Sequence, residues 1–490
     1  MMKLLDVLQH IIQKKFIGPE DVDIQGIQTD SRMVKQGDLF VCIPGYTVDG
    51  HNFAEKAVQQ GATALLVERE VSVSQPVTQI LVKDTGRALS KIASTYYGYP
   101  SQDVNVIGIT GTNGKTTTTL LVQQIMKEAG KKTGLIGTMY TEINGVKNES
   151  KNTTPDALTL QQLFHEMREG GTDYAIMEMS SHGLKLGRVH GINVKGAAFT
   201  NLTQDHLDYH ETMDDYKEAK ALLFSQLGQD VTQNKYAVLN SDDPVSKEYT
   251  YKTSAEILTY GIDQESDVMA REINATANGI TFTLDTFKGK INLQTNLMGK
   301  FNVYNVLCAA TIALAEGIEL AIIKQAIESI PGVSGRFESV VAGQDFHVIV
   351  DYAHTPDSLE NVLKTAQEFT TGHLYCVVGC GGDRDKTKRP LMAGISTKYA
   401  AHSIFTSDNP RSEDPMVILQ DMTEGITGNY DVIPDRATAI EEAVAHAQKG
   451  DTVIIAGKGH ETYQIIGKDV LHFDDREIAA QAIQRTTINF

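Results

Sequence analysis

A glycine-rich stretch in the first quarter of the chain joins a strand-like run to a helix-like run. The segment VIGITGTNGKTTTT begins at Val106 and contains Gly-Thr-Asn-Gly-Lys-Thr. Amides of such a loop and the N-terminus of the following helix favour phosphate. Lys115 can then neutralise the β- and γ-phosphates, and the hydroxyl of Thr116 can bind Mg²⁺. The common phosphate-loop pattern has a glycine where this chain has Ile109, so a plain strand-to-helix turn is the alternative. The position of the loop between a strand and a helix favours a nucleotide site.

Acidic residues and histidines follow two further strand-like runs. Glu178 lies at the end of DYAIMEM, and the run GAAFTNL is followed by Asp205, His206, Asp208 and His210. Open α/β sheets bind ligands at the carboxyl ends of their strands, and Mg²⁺ prefers hard oxygen ligands. Each acid alone would be a helix cap or a solvated loop residue. Their shared position beside the glycine loop favours a magnesium site instead.

Length and composition limit the classes of partner. A chain of 490 residues is long enough for two to four domains. Its net charge of -18 repels nucleic acid and anionic membranes, so neither is an expected partner. The four cysteines are too scattered for a disulfide scaffold, and we expect buried free thiols more than a metal site. No run approaches 18 apolar residues and no cleavage signal is present, which predicts a cytoplasmic protein without membrane insertion.

The alternation of apolar runs and helical stretches predicts an α/β fold with three domains. Strand-like runs occur at DLFVCIPG and ATALLVE, then at VNVIGI, TGLIGT, DYAIMEM and GAAFTNL, and finally at HVIVDYAH, HLYCVVGC, HSIFTS and DTVIIAG. Helices such as 116–129 and 436–450 separate them, which predicts mostly parallel sheets. The pattern pauses around 331–336. The predicted domains are 1–103, 104–334 with a central P-loop ATPase-type sheet, and 335–490 with a Rossmann-like fold.

Motifs throughout the chain resemble those of the Mur ligases, the ATP-dependent enzymes that add amino acids to the UDP-linked peptidoglycan precursor. The motifs are GTNGKTTT, NTTP, EMSSHGL, DHLDYHETMDDYKEAK, SGRFE, DYAHTPDSL and GCGGDRDKTKRP. The resemblance extends from TDSR at 29–32 to GKGHE at 457–461. Because the family loop is TGTNGKT, Ile109 agrees with the family pattern. The closest resemblance within the family is to members that add the third peptide residue.

The resemblance implies one domain for the UDP moiety, one for ATP and one for the incoming amino acid. ATP would be the co-substrate, Mg²⁺ the cofactor, and an acyl phosphate the intermediate in amide formation. The implied ATP-binding residues are Thr110, Gly111, Thr112, Asn113, Gly114, Lys115, Thr116, Asn302, Asn305, Arg336 and Asp351. The implied catalytic residues are Lys115, Glu178, His206, Lys220 and His354, and the implied metal ligands are Thr116, Glu178, His206 and carbamylated Lys220. For the two asparagines, helix capping is the alternative.

The resemblance also implies a site for the acceptor, UDP-MurNAc-L-Ala-D-Glu. Its residues would be Ser31 at the uridine, and Thr153, Thr154, Ser180 and Arg188 at the muramoyl-dipeptide. Residues 46–48 are expected near the uridine as well. The fork of an arginine can pair with phosphate or carboxylate through two hydrogen bonds. Leu186 stands where some relatives have glutamine, so we expect one polar contact fewer.

The tetrapeptide Asp-Asn-Pro-Arg resembles the mark of members that add meso-diaminopimelate, and lysine-adding members tend to lack its arginine. Diaminopimelate carries a second carboxylate, which Arg411 can pair with. An unpaired arginine would disfavour lysine, so Arg411 would both favour diaminopimelate and exclude lysine. The alternative is a turn with Arg411 as a surface charge. The implied diaminopimelate-binding residues are Arg384, Asp408, Asn409, Pro410, Arg411, Gly457 and Glu461.

The alternative functions are those of a lysine-adding ligase, a folylpolyglutamate synthetase, and a relative that binds nucleotide without ligating. The DNPR tetrapeptide is evidence against the first, and TDSR with GDLFVCIPG is evidence against the second. A non-ligating relative would usually have lost some of Lys115, Glu178, His206, Lys220 and Arg384, and all five are present. We expect a monomer.

Overall fold

The computed structural model of the chain describes residues 2–45, 48–228, 232–276 and 279–488. Residues 46 and 47, expected near the uridine, lie outside the described residues. The predicted α/β architecture is confirmed, because a five-stranded, an eleven-stranded and a six-stranded sheet follow one another along the chain. The predicted boundaries at 103/104 and 334/335 fall between these sheets and stay predictions.

The first unit is a small, mostly parallel sheet. Its strands are β1 (Met2–Lys3), β2 (Lys15–Ile17), β3 (Asp23–Ile24), β4 (Gly26–Gln28), β5 (Asp38–Val41), β6 (Ala64–Val67) and β7 (Thr78–Leu81). Its helices are α1 (Leu4–Val7), α2 (Ala54–Gln59) and α3 (Thr85–Tyr96), with 3₁₀ turns at Gly50–Phe53 and Pro100–Gln102. The five-stranded sheet has the order β2-β7-β6-β5-β4, and only β2 is antiparallel to its neighbour, while β1 and β3 form a separate antiparallel pair. Ser31 lies in the loop between β4 and β5.

The second unit contains the largest sheet. Its strands are β8 (Asn105–Thr110), β9 (Thr133–Ile136), β10 (Tyr140–Ile143), β11 (Val146–Glu149), β12 (Tyr174–Glu178), β13 (Val194–Phe199), β14 (Tyr236–Asn240), β15 (Glu256–Gly261), β16 (Val268–Thr276), β17 (Gly279–Thr286) and β18 (Gly289–Thr295). Its helices are α4 (Lys115–Glu128), α5 (Ala157–Glu169), α6 (Ser181–Lys185), α7 (Met213–Ser225), α8 (Val245–Tyr249), α9 (Lys300–Ala315) and α10 (Leu320–Glu328). The order is β11-β10-β9-β12-β8-β13-β14-β15-β16-β17-β18. The pairs from β9 to β16 are parallel, and antiparallel strands extend both edges.

The third unit is a second parallel sheet with one antiparallel edge. Its strands are β19 (Glu338–Ser339), β20 (His347–Asp351), β21 (Leu374–Val378), β22 (His402–Phe405), β23 (Tyr430–Val432), β24 (Thr452–Ala456), β25 (Tyr463–Ile466) and β26 (Asp469–His472). Its helices are α11 (Pro356–Phe369), α12 (Lys388–Tyr399), α13 (Pro415–Thr423), α14 (Arg436–His446) and α15 (Asp475–Ile488). The order is β19-β20-β24-β21-β22-β23, and β25 and β26 form a separate hairpin.

Packing in the core explains why Ile109 stands where the general phosphate-loop pattern has a glycine. Ile109 belongs to β8, is fully buried, and packs in one cluster with Leu121 and Val122 of α4. Burying a side chain of this size stabilises the fold by about 1.5–3 kcal/mol. Ile109 therefore fixes the helix onto the strand, and the loop proper begins two residues later.

Two predictions about the whole chain can be compared with the structure. The four cysteines are free and buried, as predicted. Over the described ranges, no helix has the length and apolar character needed to cross a membrane.

Candidate active site

The phosphate loop connects the carboxyl end of β8 to the first residue of α4. Both of its glycines have backbone angles in the left-handed region, with φ of 150° at Gly111 and 86° at Gly114. A Cβ atom would lie 1.8 Å from Thr200 Oγ1 at the first position and 2.3 Å from Asn305 Oδ1 at the second. Because other residues rarely adopt these backbone angles and a Cβ atom would also displace the facing side chains, both positions favour glycine.

Lys115 lies over the loop that precedes it. Its Nζ donates to Gly111 O at 2.9 Å and to Thr112 O at 2.8 Å, and burial lowers its pKa. Asn201, at the end of the neighbouring strand, accepts from Thr112 N at 2.8 Å and from Asn113 N at 2.9 Å. The loop shape is thus fixed from β13 as well as from its own helix.

Glu178 and Thr116 form an oxygen-rich cluster beside the loop. The buried Glu178 carboxylate accepts from Thr138 N at 2.9 Å, from Thr138 Oγ1 at 3.0 Å and from Thr116 Oγ1 at 3.0 Å. Arg336 Nη2 donates to Thr116 Oγ1 at 3.2 Å. Two of the predicted metal ligands are therefore adjacent, and Thr138 is a partner that the sequence pattern did not indicate.

His206 lies in a cluster of charged and imidazole groups at the end of β13. Its φ is 56°, and its Nε2 is 3.3 Å from Asp205 Oδ2. His354 Nε2 is 3.8 Å and Lys388 Nζ is 4.0 Å from the same carboxylate. Burial opposes ionisation of Asp205, but these neighbours keep its pKa below the usual range. Burial lowers the pKa of His206 to about 3, so the ring is neutral, as a metal ligand must be.

The two remaining candidates after β13 have other surroundings. His210 is buried, with Nδ1 2.9 Å from Asp215 Oδ2 and Nε2 2.9 Å from Ser181 Oγ. Asp208 is exposed. The structure therefore gives His210 a role in joining α6 to α7 and leaves His206 and Asp205 at the site.

Lys220 of α7 is buried behind the phosphate loop. Its Nζ donates to Gly111 O at 2.8 Å and lies 4.2 Å from the ring centroid of Tyr216. Burial and the nearby Lys115 hold the pKa of Lys220 well below its usual value. Its side chain is only 1% exposed, and such burial favours the neutral amine.

One cavity of about 590 Å³ joins most of these groups. Of the predicted ATP-binding and catalytic residues, its lining includes Thr112, Asn113, Gly114, Lys115, Thr116, Glu178, His206, Asn305, Arg336, Asp351 and His354. Thr110, Gly111, Asn302 and Lys220 lie behind this lining. The volume suits a nucleotide-sized ligand.

The donors at this cavity are few but suit Mg²⁺. Over the described ranges, no group of three or more His, Cys, Asp and Glu side chains is arranged to hold a metal ion. Thr116, Glu178 and His206 nevertheless all line the cavity, and two of them offer hard oxygens. Mg²⁺ commonly takes one or two protein carboxylates and completes its shell with waters and phosphate oxygens. The donor set fits an ion that binds together with a nucleotide.

A cation and aromatic rings also line the cavity. The guanidinium of Arg336 lies 4.5 Å from the ring centroid of Tyr352. Asp351 accepts from Phe337 N at 2.7 Å, and burial raises its pKa to about 6 although Arg336 acts in the opposite direction. Phe301 also lines the cavity. Phe301 and Tyr352 were not singled out from the sequence.

The two predicted asparagines do not cap their helix. The N-cap of α9 is Gly299, and both asparagines lie within the helix. Asn305 Nδ2 donates to Asn302 Oδ1 at 2.9 Å, and Asn302 Nδ2 donates to Met298 O at 2.8 Å. Asn302 therefore orients Asn305, which faces Gly114.

Helices of the third unit reach the phosphate loop. Asn113 Nδ2 donates to Asp357 Oδ2 at 3.0 Å, and Gln204 Nε2 donates to Thr387 Oγ1 at 3.2 Å. Together with the bond from Arg336 to Thr116, these contacts close the cavity from the side of α11 and α12.

Four of the five residues predicted for the acceptor form one cluster. Thr154 Oγ1 donates to Glu178 O at 2.9 Å and accepts from Ser180 N at 2.9 Å, while Arg188 Nη1 donates to Thr154 O at 2.7 Å. The hydroxyls of Thr153 and Thr138 are 2.9 Å apart. The cluster thus adjoins the Glu178 site through two neighbouring threonines.

Ser31 lies apart from that cluster in the first unit. It is 6% exposed. Within the described ranges no hydrogen bond joins it to the other four residues. The first unit does contact their surroundings, because Ser90 Oγ of α3 donates to Gly187 O at 2.8 Å, beside Arg188. Leu186 is 46% exposed.

The residues predicted for diaminopimelate come together at the carboxyl ends of β22 and β24. Asn409 Nδ2 donates to Glu461 Oε2 at 2.9 Å. Gly457 has φ of 118°, and a Cβ atom there would lie 2.6 Å from Asp408 Oδ2. Burial and the Asp408 charge raise the pKa of Glu461. Two carboxylates are therefore held close together at one end of this site.

Two arginines converge in the loops of the same site. Arg411 has φ of 53°, and its Nη1 donates to Gly382 O at 2.7 Å. A Cβ atom on Gly381 would lie 2.8 Å from Arg411 Nη1 and 3.8 Å from Arg384 Cγ. Pro410 O would lie 1.9 Å from a Cβ atom on Gly382, so the loop packs tightly here. Arg384 itself is exposed.

Comparison with known families agrees with the three-unit organisation. Three family profiles match in order: the Mur ligase family catalytic domain at residues 23–97, the Mur ligase middle domain at 109–313, and the Mur ligase glutamate ligase domain at 335–459. A Bacillus cereus protein named UDP-N-acetylmuramoyl-L-alanyl-D-glutamate–2,6-diaminopimelate ligase is 57% identical over 485 residues, covering 98% of each chain. A Listeria monocytogenes protein of the same name is 51% identical over 490 residues, covering 99% of each chain.

Solved structures show the same three-domain fold. A structure of a UDP-N-acetylmuramoyl-L-alanyl-D-glutamate–2,6-diaminopimelate ligase has a TM-score of 0.69 and 34% identity, covering 99% of both chains. The MurF ligase of Thermotoga maritima in complex with ADP has a TM-score of 0.64 at 18% identity, covering 94% of this chain and 96% of its own. The second likeness concerns the fold alone.

Proposed function

The chain belongs to the Mur ligase family, and from this premise we propose that it joins meso-diaminopimelate to the D-glutamate carboxylate of UDP-MurNAc-L-Ala-D-Glu. ATP is the co-substrate, and the products are the amide, ADP and phosphate. Relatives at 57% and 51% identity carry the name of this activity. The observation that carries the choice of amino acid is that Arg384 and Arg411 lie in the same group of loops as Asp408 and Glu461, since diaminopimelate has two carboxylates and two ammonium groups.

The first step activates the acceptor carboxylate, which is a poor electrophile. Its oxygen attacks the γ-phosphorus of ATP, the bond to the ADP oxygen breaks, and an acyl phosphate forms. The loop amides of 112–116 and Lys115 orient the phosphates and offset the charge that spreads over their oxygens. Mg²⁺, held by Thr116, Glu178 and His206, would supply further neutralisation of that charge. Arg188 and the two threonines at 153 and 154 place the acceptor beside Glu178.

The second step forms the amide. The free amine of diaminopimelate attacks the acyl carbon, a tetrahedral intermediate forms, and phosphate leaves as the amine proton is lost. Arg384 and Arg411 hold the carboxylates, and Glu461 holds an ammonium group. The contacts from Asn113 to Asp357 and from Gln204 to Thr387 bring the amino-acid unit against the ATP unit. Alignment of the two reactants provides most of the rate gain in such a reaction.

We expect Lys220→Ala to lower kcat by at least about 100-fold, because a carbamate on Lys220 would place an anion beside the metal site. Burial favours the neutral amine to which CO₂ adds. Short carboxylic acids that enter the vacated space should restore part of the activity. Steady-state phosphate release with and without acetate measures both effects. Lys217→Ala is the matched control, since Lys217 lies on the same helix and pairs with Glu248 at the surface. Full activity of Lys220→Ala, or no rescue of it by acetate, would contradict carbamylation of Lys220.

The test of the proposed function is the substrate dependence of phosphate release. Purified protein with ATP should release phosphate at a sustained rate only when UDP-MurNAc-L-Ala-D-Glu and diaminopimelate are both present. Omission of either should reduce the rate to background. Without UDP-MurNAc-L-Ala-D-Glu the acyl phosphate never forms, and without diaminopimelate it has no amine to react with. Sustained release with ATP alone would indicate a nucleotide hydrolase and would exclude the ligase.

A further inference from the structure

Lys458 is a fully buried cation within the diaminopimelate site, and nothing above gives it a role. Its side chain has 0% exposure. Its Nζ donates to Glu461 Oε2 at 3.1 Å and to Asn409 Oδ1 at 3.2 Å. A buried ammonium group is costly unless it is paired and hydrogen-bonded. Both partners of Lys458 are residues of the proposed substrate site.

These bonds determine the orientation of the Asn409 amide. Asn409 Oδ1 accepts from Lys458 Nζ and also from Ile465 N at 2.9 Å. With the oxygen fixed by two donors, Nδ2 must face Glu461, to which it donates at 2.9 Å. The amide therefore donates to the carboxylate and cannot rotate to turn its own oxygen toward it.

The same bonds give the two carboxylate oxygens of Glu461 different surroundings. Oε2 accepts from both Lys458 and Asn409, whereas the contact of Oε1 is a long one of 3.5 Å from Tyr352 Oη. An ionised carboxylate oxygen accepts more than one hydrogen bond. Oε1 is thus the oxygen that remains for an ammonium group of a ligand.

The charges around Glu461 show why a cation is needed here. The groups that face it are Asp408 on the preceding loop, Lys458, Arg436 of α14, Tyr352 after β20 and Tyr463 of β25. Burial and Asp408 raise the pKa of Glu461, and Lys458 acts against both. Arg436 is already paired with Asp475 at 2.7 Å. Lys458 is the cation that contacts Glu461 directly.

We propose that Lys458 is a positioning residue that keeps Glu461 an ionised acceptor, with Oε1 directed at an ammonium group of the incoming diamino acid. The inference rests on the proposed function, in which Glu461 contacts the amino acid. Lys458 does not itself touch the substrate. It acts through Glu461 and Asn409.

The test is Lys458→Met, studied by the KM for diaminopimelate and for ATP across pH. We expect the KM for diaminopimelate to rise at least about tenfold near pH 7, because without Lys458 burial and Asp408 keep Glu461 protonated there, with the KM for ATP almost unchanged. The ratio of variant to native KM should fall as pH rises, because Glu461 then loses its proton without help from Lys458. Lys458→Arg should restore much of the affinity, since a guanidinium also donates to both partners.

Three comparisons separate positioning from loss of structure. Lys468→Met, at an exposed turn of the β25–β26 hairpin, should behave as the native protein. Glu461→Gln should raise the KM for diaminopimelate with little dependence on pH, and Lys458→Met combined with Glu461→Gln should be no worse than Glu461→Gln alone. An unchanged KM for diaminopimelate, an equal rise in both KM values, or additive losses in the double variant would overturn the inference. If the native protein does not use diaminopimelate at all, the proposed function itself fails, which is a separate outcome.

Discussion

Lys115→Ala is expected to lower kcat/KM for ATP by about 10²–10³-fold. This is the usual effect of removing one preorganised group that stabilises transition-state charge. In the structure Lys115 Nζ lies on the carbonyls of Gly111 and Thr112, at the cavity where the γ-phosphate must sit. In the alanine variant the loop amides alone would stabilise the negative charge of the phosphate oxygens. Initial rates of phosphate release at saturating diaminopimelate and acceptor measure the effect.

The matched control for this variant is Lys131→Ala, an exposed lysine just beyond the same helix. Its rate should equal that of the native protein. The melting temperature of Lys115→Ala should stay close to the native one, because the lysine is bonded to loop carbonyls and is not part of the hydrophobic core. A native rate in Lys115→Ala would show that the phosphates bind elsewhere.

Arg411→Ala is expected to reduce kcat/KM for diaminopimelate by about 30- to 150-fold, since removing one partner of a desolvated charge pair costs about 2–3 kcal/mol. The KM for ATP should change little, because the arginine lies on the DNPR loop and not at the nucleotide cavity. Turnover of lysine should rise relative to that of diaminopimelate, as no unpaired cation then opposes it. Rates with each amino acid, measured separately, give the selectivity ratio.

Arg384→Ala provides the comparison that makes this prediction specific. Arg384 is assigned to the α-carboxylate, which lysine and diaminopimelate share, so its removal should weaken both amino acids alike. Arg411→Ala should weaken only the one with a second carboxylate. Equal losses for the two amino acids in Arg411→Ala would contradict the assignment of Arg411 to the second carboxylate.

The parallel strands could be predicted because burial on both faces gives them continuous apolar runs. β8, β12, β20 and β24 all coincide with such runs, and the sheet order then brings Glu178 beside the phosphate loop. The antiparallel strands at the two edges of the eleven-stranded sheet were not predicted. In β18 the burial alternates between exposed and buried positions, so the sequence carries no continuous apolar run there.

The motif-bearing residues of the site could be predicted, but their partners could not. The bond from Asn113 to Asp357 joins residues 244 positions apart, and no local pattern encodes such a contact. Thr138 and Lys388 likewise contact predicted residues from segments distant in the sequence. Lys458 stood inside the GKGHE motif, three positions before Glu461, and its role became visible only from its complete burial.

The measurement that tests the central claim most directly is the mass of the product formed from an equal mixture of lysine and diaminopimelate. Purified protein receives ATP, Mg²⁺ and UDP-MurNAc-L-Ala-D-Glu, and the nucleotide products are analysed by mass spectrometry. We expect one dominant new species, the acceptor plus diaminopimelate minus water, with one ADP and one phosphate formed per product. A dominant lysine adduct, or ADP without any adduct, would contradict it.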